Sequence, residues 1–192
     1  MKRVVDAPPS AAGFSLVEVL LALALGLLFS GVMVQALFAE GSNSQRLARL
    51  LRERAGTERA LQLIRSDLQR ASQATAQLSG SSSACSLAGR SVVLHLETPE
   101  GPITYSVGKP AEPIWRGQVL MRCGMAFGLQ GEPSRGQAQN RVLLDGLASA
   151  GVQVHLQGPG ALRLELRQEL PLPRGEVQVL HQQRVLPAPS PI

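Results

Sequence analysis

The sequence predicts an α+β protein. A long N-terminal α-helix, membrane-spanning in its first half and amphipathic in its second, is expected to pack on a C-terminal antiparallel β-sheet domain. Three observations predict this. Phe14 to Ala39 is almost wholly apolar, and its one charge is Glu18. Between residues 40 and 80, apolar residues recur at three- and four-residue steps among arginines and glutamates. Beyond residue 90 the apolar period falls to two, with turn residues between short runs. A period near 3.6 marks a helix face and a period of two marks a strand face.

The apolar run is the first element. From Val19 to Ala39 nothing is charged, which meets the length of about 18 apolar residues expected of a membrane-crossing helix. As one helix, residues 14–39 would extend roughly 39 Å at about 1.5 Å per residue, enough to cross the hydrocarbon layer with tilt. A carboxylate at the edge of such a segment is costly, so Glu18 is read as functional and as having a partner. A cleaved secretory signal is excluded because the run is too long, carries Glu18 and lacks a small-residue cleavage site after it. Gly26 and Gly31 flank Leu27–Ser30. They suit either close helix packing or a local loss of helical order.

Gly13-Phe14-Ser15-Leu16-Val17-Glu18, followed by a Leu/Ala-rich span, resembles the prepilin signal of type IV pilins and type II secretion pseudopilins. The resemblance is tight over about 30 residues. It implies that a prepilin peptidase/methyltransferase cuts after Gly13 and methylates the new amine of Phe14. It also implies that Glu18, the fifth residue of the mature chain, serves filament assembly. Residues 1–13 would then be a leader that is removed. Pro8-Pro9 and the small residues Ser10, Ala11 and Ala12 keep that leader from becoming helical and leave the Gly13–Phe14 bond accessible.

Orientation draws on two conflicting signals. Lys2 and Arg3 precede the span, as for a cytoplasmic N-terminus, yet Arg46, Arg49, Arg52 and Arg54 follow it closely. The cleavage motif decides for a cytoplasmic start, because the peptidase of the resembled family works from that side.

Residues 40–80 are expected to continue the helix in amphipathic form, with Leu47, Leu50, Leu51, Leu61, Ile64, Leu68 and Ala71 on one face. Seven arginines (46, 49, 52, 54, 59, 65 and 70) oppose Glu40, Glu53, Glu58 and Asp67. The charges read as a solvated face. The alternative is contact with DNA or anionic lipid through Arg46, Arg49, Arg52 and Arg59. No aromatic residue interleaves with them, which disfavours base stacking.

Residues 81–185 are expected to form the β-rich domain. Candidate strands are 91–98, 103–107, 114–122, 141–144, 152–157, 162–170 and 177–180, separated by Pro/Gly turns. The segments 152–157 and 162–170 alternate cleanly across Gly158-Pro159-Gly160 and form the best hairpin. The proline-rich residues 186–192 are expected to be a disordered tail. The pattern Ile103-Thr104-Tyr105, Ile114-Trp115-Arg116, Val142-Leu143-Leu144-Asp145-Gly146-Leu147 and Leu162-Arg163-Leu164-Glu165-Leu166 is similar to that of J-type minor pseudopilins and PilW-type minor pilins. Scarce aromatics, 3% of the chain, leave the packing to Leu, Val and Ala.

No catalytic constellation emerges, and the chain is not expected to be an enzyme. His95, His155 and His181 are isolated, and no spacing suits a metal or another cofactor. Cys85 and Cys123 are the only cysteines. In an extracytoplasmic domain they would be expected to pair, at a gain of roughly 3–4 kcal/mol in the chain-entropy model. The net charge of +5 is concentrated in residues 1–90, with ten Lys/Arg against six Asp/Glu.

The resemblance implies a minor pilin or pseudopilin of a type IV pilus or type II secretion filament. Its expected partners are other pilin-like subunits, the peptidase, an inner-membrane assembly platform and the inner membrane itself. A DNA-binding minor pilin of a competence pilus is the alternative.

Overall fold

The computed structural model describes residues 13, 15–76, 84–128, 131–132, 134, 136–157, 160–172 and 175–189. Most of the expected leader, Phe14, the serine-rich stretch 79–83, the Gly158-Pro159 turn and the last three residues lie outside them. The chain divides into two compact units, Met1–Arg52 and Glu53–Ile192. The helical residues, α1, are Leu16–Arg70. Among the described residues seven strands follow: β1 (Gln73–Ala76), β2 (Ser91–Glu97), β3 (Ile103–Gly108), β4 (Gln118–Gly124), β5 (Gln139–Leu156), β6 (Ala161–Pro171) and β7 (Val177–Pro187).

In the first unit, Leu16–Phe38 is long and apolar enough to cross a membrane, with a mean hydropathy of 2.4. Helix geometry persists through Gly26 and Gly31. A Cβ built at either glycine would meet no atom within 4 Å. The Ser30 hydroxyl donates to the Gly26 carbonyl at 2.8 Å, so this polar side chain is satisfied within its own helix.

In the second unit the strands form one antiparallel sheet in sequence order, β1-β2-β3-β4-β5-β6-β7, a meander without crossovers. The sheet curls, so that β2 also approaches β5. One face of α1 packs on it. Ala60, Leu61, Ile64 and Leu68 join Leu94, Leu96, Tyr105, Leu120, Leu147, Val154, Leu162, Leu164 and Leu166 in one buried cluster. Each such aliphatic side chain contributes about 1.5–3 kcal/mol on burial. Strand β6 shows the rule most cleanly: Leu162, Leu164, Leu166, Gln168 and Leu170 face inward, while Arg167 and Glu169 face out.

Several element boundaries differ from expectation. The helix ends at Arg70, not near residue 80, and Gln73–Ala76 is a strand. Locally, Gln-Ala-Thr-Ala favours neither state strongly. The free edge of β2 decides, since Ser72 N–H donates to the Glu97 carbonyl at 2.8 Å and Ala74 pairs with Leu96. The strand expected from Ile114 begins at Gln118, because residues before it turn to bring Arg116 to Asp145. Residues 186 and 187 are not a disordered tail: Leu186 is buried opposite Leu162, and β7 runs on to Pro187. Its pairing with β6 satisfies main-chain groups that a free tail would leave to water.

The expected strands at 141–144 and 152–157 are one strand, β5, interrupted by a bulge. Leu147 pairs with Gln168 and Val152 with Leu166, so three extra residues are accommodated between those pairs. Ala150 takes a left-handed φ of 53°, a strained choice for a residue with a Cβ. Gly151 sits where a Cβ would lie 2.6 Å from the Arg167 carbonyl oxygen and 2.7 Å from that of Ala148. Both are main-chain atoms, so the bulge cannot yield without breaking the β5–β6 ladder. Gly151→Val should therefore destabilise the protein by about 1–3 kcal/mol, measured as a lower denaturation midpoint in detergent. Wild-type stability of that variant would show that the bulge is not fixed.

Candidate functional site: the helix start and a buried charge lock

Two places carry the unusual chemistry, and each belongs to a different unit. In the first unit, Ser15 occupies the N-cap position of α1. Its carbonyl accepts from the N–H groups of Glu18 at 3.0 Å and Val19 at 3.2 Å. Glu18 lies in the first turn and is exposed. A carboxylate there faces the positive end of the helix dipole. Ser15 and Glu18 also stand at the spacing of a capping box, a local signal in the sequence that favours a helix start at Leu16. Gly13 is exposed. Leu16–Phe38 leaves its apolar surface uncovered by protein, as a segment destined for lipid or for other helices requires. Arg46, Arg49 and Arg52 are exposed in this unit, and Arg59 is exposed in the other.

In the second unit, α1 carries a polar residue inside its buried stripe. Asp67 has no exposed surface. Its Oδ2 accepts from the Tyr105 hydroxyl at 2.6 Å and from Arg122 Nε at 2.6 Å. Oδ1 accepts from Arg122 Nη2 at 3.3 Å and from Arg70. Arg122 also donates through Nη1 to the Met125 carbonyl at 2.9 Å. The guanidinium groups of Arg122 and Arg70 lie 5.0 and 5.2 Å from the centre of the Phe127 ring, within cation–π range. One helix residue is thereby tied to β3, to β4 and to the loop after β4. The chemistry is positional, since no dissolved substrate reaches a carboxylate with no exposed surface.

The electrostatics follow from burial. Tyr105 is held as the neutral phenol: burial raises its pKa well above the usual value, and the Asp67 charge and hydrogen bond raise it further. Arg122 pulls the other way but does not win. For Arg122 itself, burial opposes the charge, yet the Asp67 hydrogen bond and charge leave its pKa raised.

Two further pairs hold Glu53 and Thr57 of the helix to the sheet. Glu53 accepts from Arg116 Nη2 at 2.7 Å, with Asp145 on the same guanidinium at 3.5 Å. The Glu53 hydrogen bond is the main cause raising the Arg116 pKa. Thr57 donates to Gln168 Oε1 at 2.7 Å, and Gln168 Nε2 donates to the Asp145 carbonyl at 3.2 Å. Glu58 meets Arg184 at 2.9 Å on the surface, where such a pair contributes little.

Asp67, Glu53 and Glu58 thus face arginines of the sheet domain, not only those of their own helix. Reading them as part of a solvated charged face is corrected for Asp67 above all. The sequence did carry a signal, since 57, 60, 61, 64, 67, 68 and 71 share one helical stripe.

Cys85 and Cys123 are joined in a disulfide with a Cα–Cα distance of 5.9 Å. Cys123 follows Arg122 on β4, so the lock and the disulfide occupy opposite faces of that strand. His95 is buried, with Nδ1 3.0 Å from the Thr104 hydroxyl and Nε2 2.9 Å from Glu97. Among the described residues no group of three or more His, Cys, Asp or Glu side chains could hold a metal ion. No family model, curated protein or solved structure matches the chain.

Tyr105 gives the lock an alkaline signature. An unfolded tyrosine loses its proton near pH 10, whereas the folded protein keeps it to higher pH. Unfolding then releases a proton, so this contribution is complete below about pH 10 and is lost as pH rises further. Tyr105→Phe should cost about 1–3 kcal/mol at pH 7 and flatten the fall in stability above pH 10. Asp67→Ala, which strands the Arg122 charge, should cost about 3–5 kcal/mol. Denaturant melts of the three proteins at pH 7 to 11 check both statements. An unchanged alkaline slope in Tyr105→Phe would contradict the assignment.

Proposed function

We propose that the chain is a minor pilin or pseudopilin that assembles into a type IV pilus or type II secretion filament. The observation that carries the reading is the Gly13-Phe14-Ser15-Leu16-Val17-Glu18 motif, set at the start of an apolar helix long enough to cross a membrane. A helix start at Leu16 leaves the Gly13–Phe14 bond before the first helical turn. There a peptidase can hold it extended. In this reading a prepilin peptidase cuts after Gly13 and methylates Phe14. The chain waits in the inner membrane with its N-terminus cytoplasmic and its sheet domain outside the cytoplasm. An assembly platform then passes it to other pilin-like subunits. The disulfide supports an oxidising location for the sheet domain.

Mass spectrometry of the mature protein should find N-methylated Phe14 as its first residue. A bulky side chain at position 13, as in Gly13→Trp, should leave the precursor uncut. A protein that retains Met1, or is cut near Ala39, would refute the identification.

Glu18 would act after cleavage. The new ammonium of Phe14 and the Glu18 carboxylate lie about one turn apart, and axial stagger in a filament brings Glu18 to the ammonium of the subunit above. That contact removes two unpaired charges from an apolar core, where each would cost several kcal/mol. A subunit at the free tip has no such neighbour, so this chain docks beneath another. Glu18→Ala should leave cleavage and membrane insertion intact and reduce recovery in assembled filaments by about tenfold or more. Normal incorporation of the variant, with cross-links placing the chain at the tip, would sink the docking role.

A further inference from the structure

Strand β7 ends the sheet and is paired only with β6 among the described residues. Its other side is a row of open main-chain N–H and C=O groups over the 11 residues Val177–Pro187. Natural edge strands are usually guarded by shortness, charged side chains, proline or a bulge. β7 has one such guard before Pro187, Arg184, and its register on β6 is unbroken. Val177, Val179 and Val185 are exposed on one of its faces. On the other, Gln178, Leu180 and Gln182 are half-buried. The Oε1 atoms of Gln178 and Gln182 are shielded from solvent and accept no hydrogen bond from the described residues. Such atoms are rare in a finished protein surface.

We propose that β7 is the docking edge for a second copy of this chain, the two strands pairing antiparallel about a two-fold axis through Leu180. Symmetry then fixes every cross-strand pair. Leu180 meets the partner's Leu180, Gln178 meets the partner's Gln182, and Glu176 meets the partner's Arg184. All three lie on the same face, and the last two occur twice. Each glutamine amide, once turned toward the seam, gains a second amide across it, and Glu176, the residue just before β7, gives two opposite-charge pairs at the ends. Centring the axis on His181 instead sets Leu180 against Gln182 and Glu176 against Leu186. Centring it on Val179 sets Gln178 against Leu180 and Gln182 against Glu176. Of the three, the Leu180 axis makes the edge most complementary to itself. The bond from Arg184 to Glu58 is no obstacle, since both side chains are about half exposed and the pair is weak. A single strand pair buries little area, so association is weak in dilute solution and is favoured by confinement in one membrane. The pairing involves the sheet alone and is independent of the pilin reading.

The test uses the full-length chain in lipid nanodiscs and detergent, with the native disulfide intact. Leu180→Cys treated with a short bifunctional thiol reagent should give a symmetric 180–180 cross-link in peptide maps. If that variant folds poorly, co-reconstituted Val179→Cys and His181→Cys chains should cross-link to each other. Glu176→Arg and Arg184→Glu should each weaken self-association about tenfold, and the double exchange should restore it to within about threefold. Glu58→Gln should leave it unchanged. The proposal is overturned if the chain stays monomeric, or if it associates through its apolar helix with no response to Glu176→Arg. It is equally overturned if the double exchange fails to restore pairing.

Discussion

The carboxylate of Asp67 is the constraint on which the sheet domain depends. It lies in the buried stripe of α1, and three donors converge on it from β3, β4 and its own helix. A buried ion pair is a poor source of net stability compared with apolar side chains of the same shape. Its consequence is positional. A helix rotated by one residue, or slid by one turn, would leave Asp67 and Arg122 both buried and unpaired, which costs far more than any apolar mismatch. The apolar residues at 60, 61, 64 and 68 supply the driving force, and Asp67 selects one register among those that would bury them.

The rest of the sheet domain is arranged around that fixed helix. Arg122 reaches Asp67 because β4 is central in the meander, with β3 delivering Tyr105 beside it. The next residue on β4, Cys123, carries the disulfide on the opposite face. That link fastens the segment leading into β2 to the same strand. Farther along, the bulge in β5 lets one strand change its phase without leaving the sheet, and the Arg116–Asp145–Glu53 contacts gather next to it. Polar contacts therefore mark the places where the chain turns or shifts register, and leucines fill the stretches between.

The first unit obeys another rule. Its helix has no buried apolar face of its own, and its surface is apolar through Leu16–Phe38. Such a surface is stable only in lipid or against other apolar helices. Glu18 at its start is the one charge in that stretch, and the proposed function gives it a partner.

The sequence by itself determined the elements whose signal is local. The apolar helix was legible because Leu16–Phe38 carries one charge in 23 residues. The α+β class was legible because the apolar period changes from 3.6 to two, and β6 was read nearly to the residue because its alternation is unbroken. What only the tertiary structure decided depends on groups far apart in sequence. Gln73–Ala76 is a strand because β2 offers an edge, and residues 186–187 are ordered because β6 does. Gln139–Leu156 is one strand because a bulge, invisible in any two-residue period, carries the chain across. Asp67 looked like one charge among many on an amphipathic helix. Its place in the helical stripe pointed to the sheet, but its partners Tyr105 and Arg122 lie 38 and 55 residues away, and no local pattern encodes a partner at that distance.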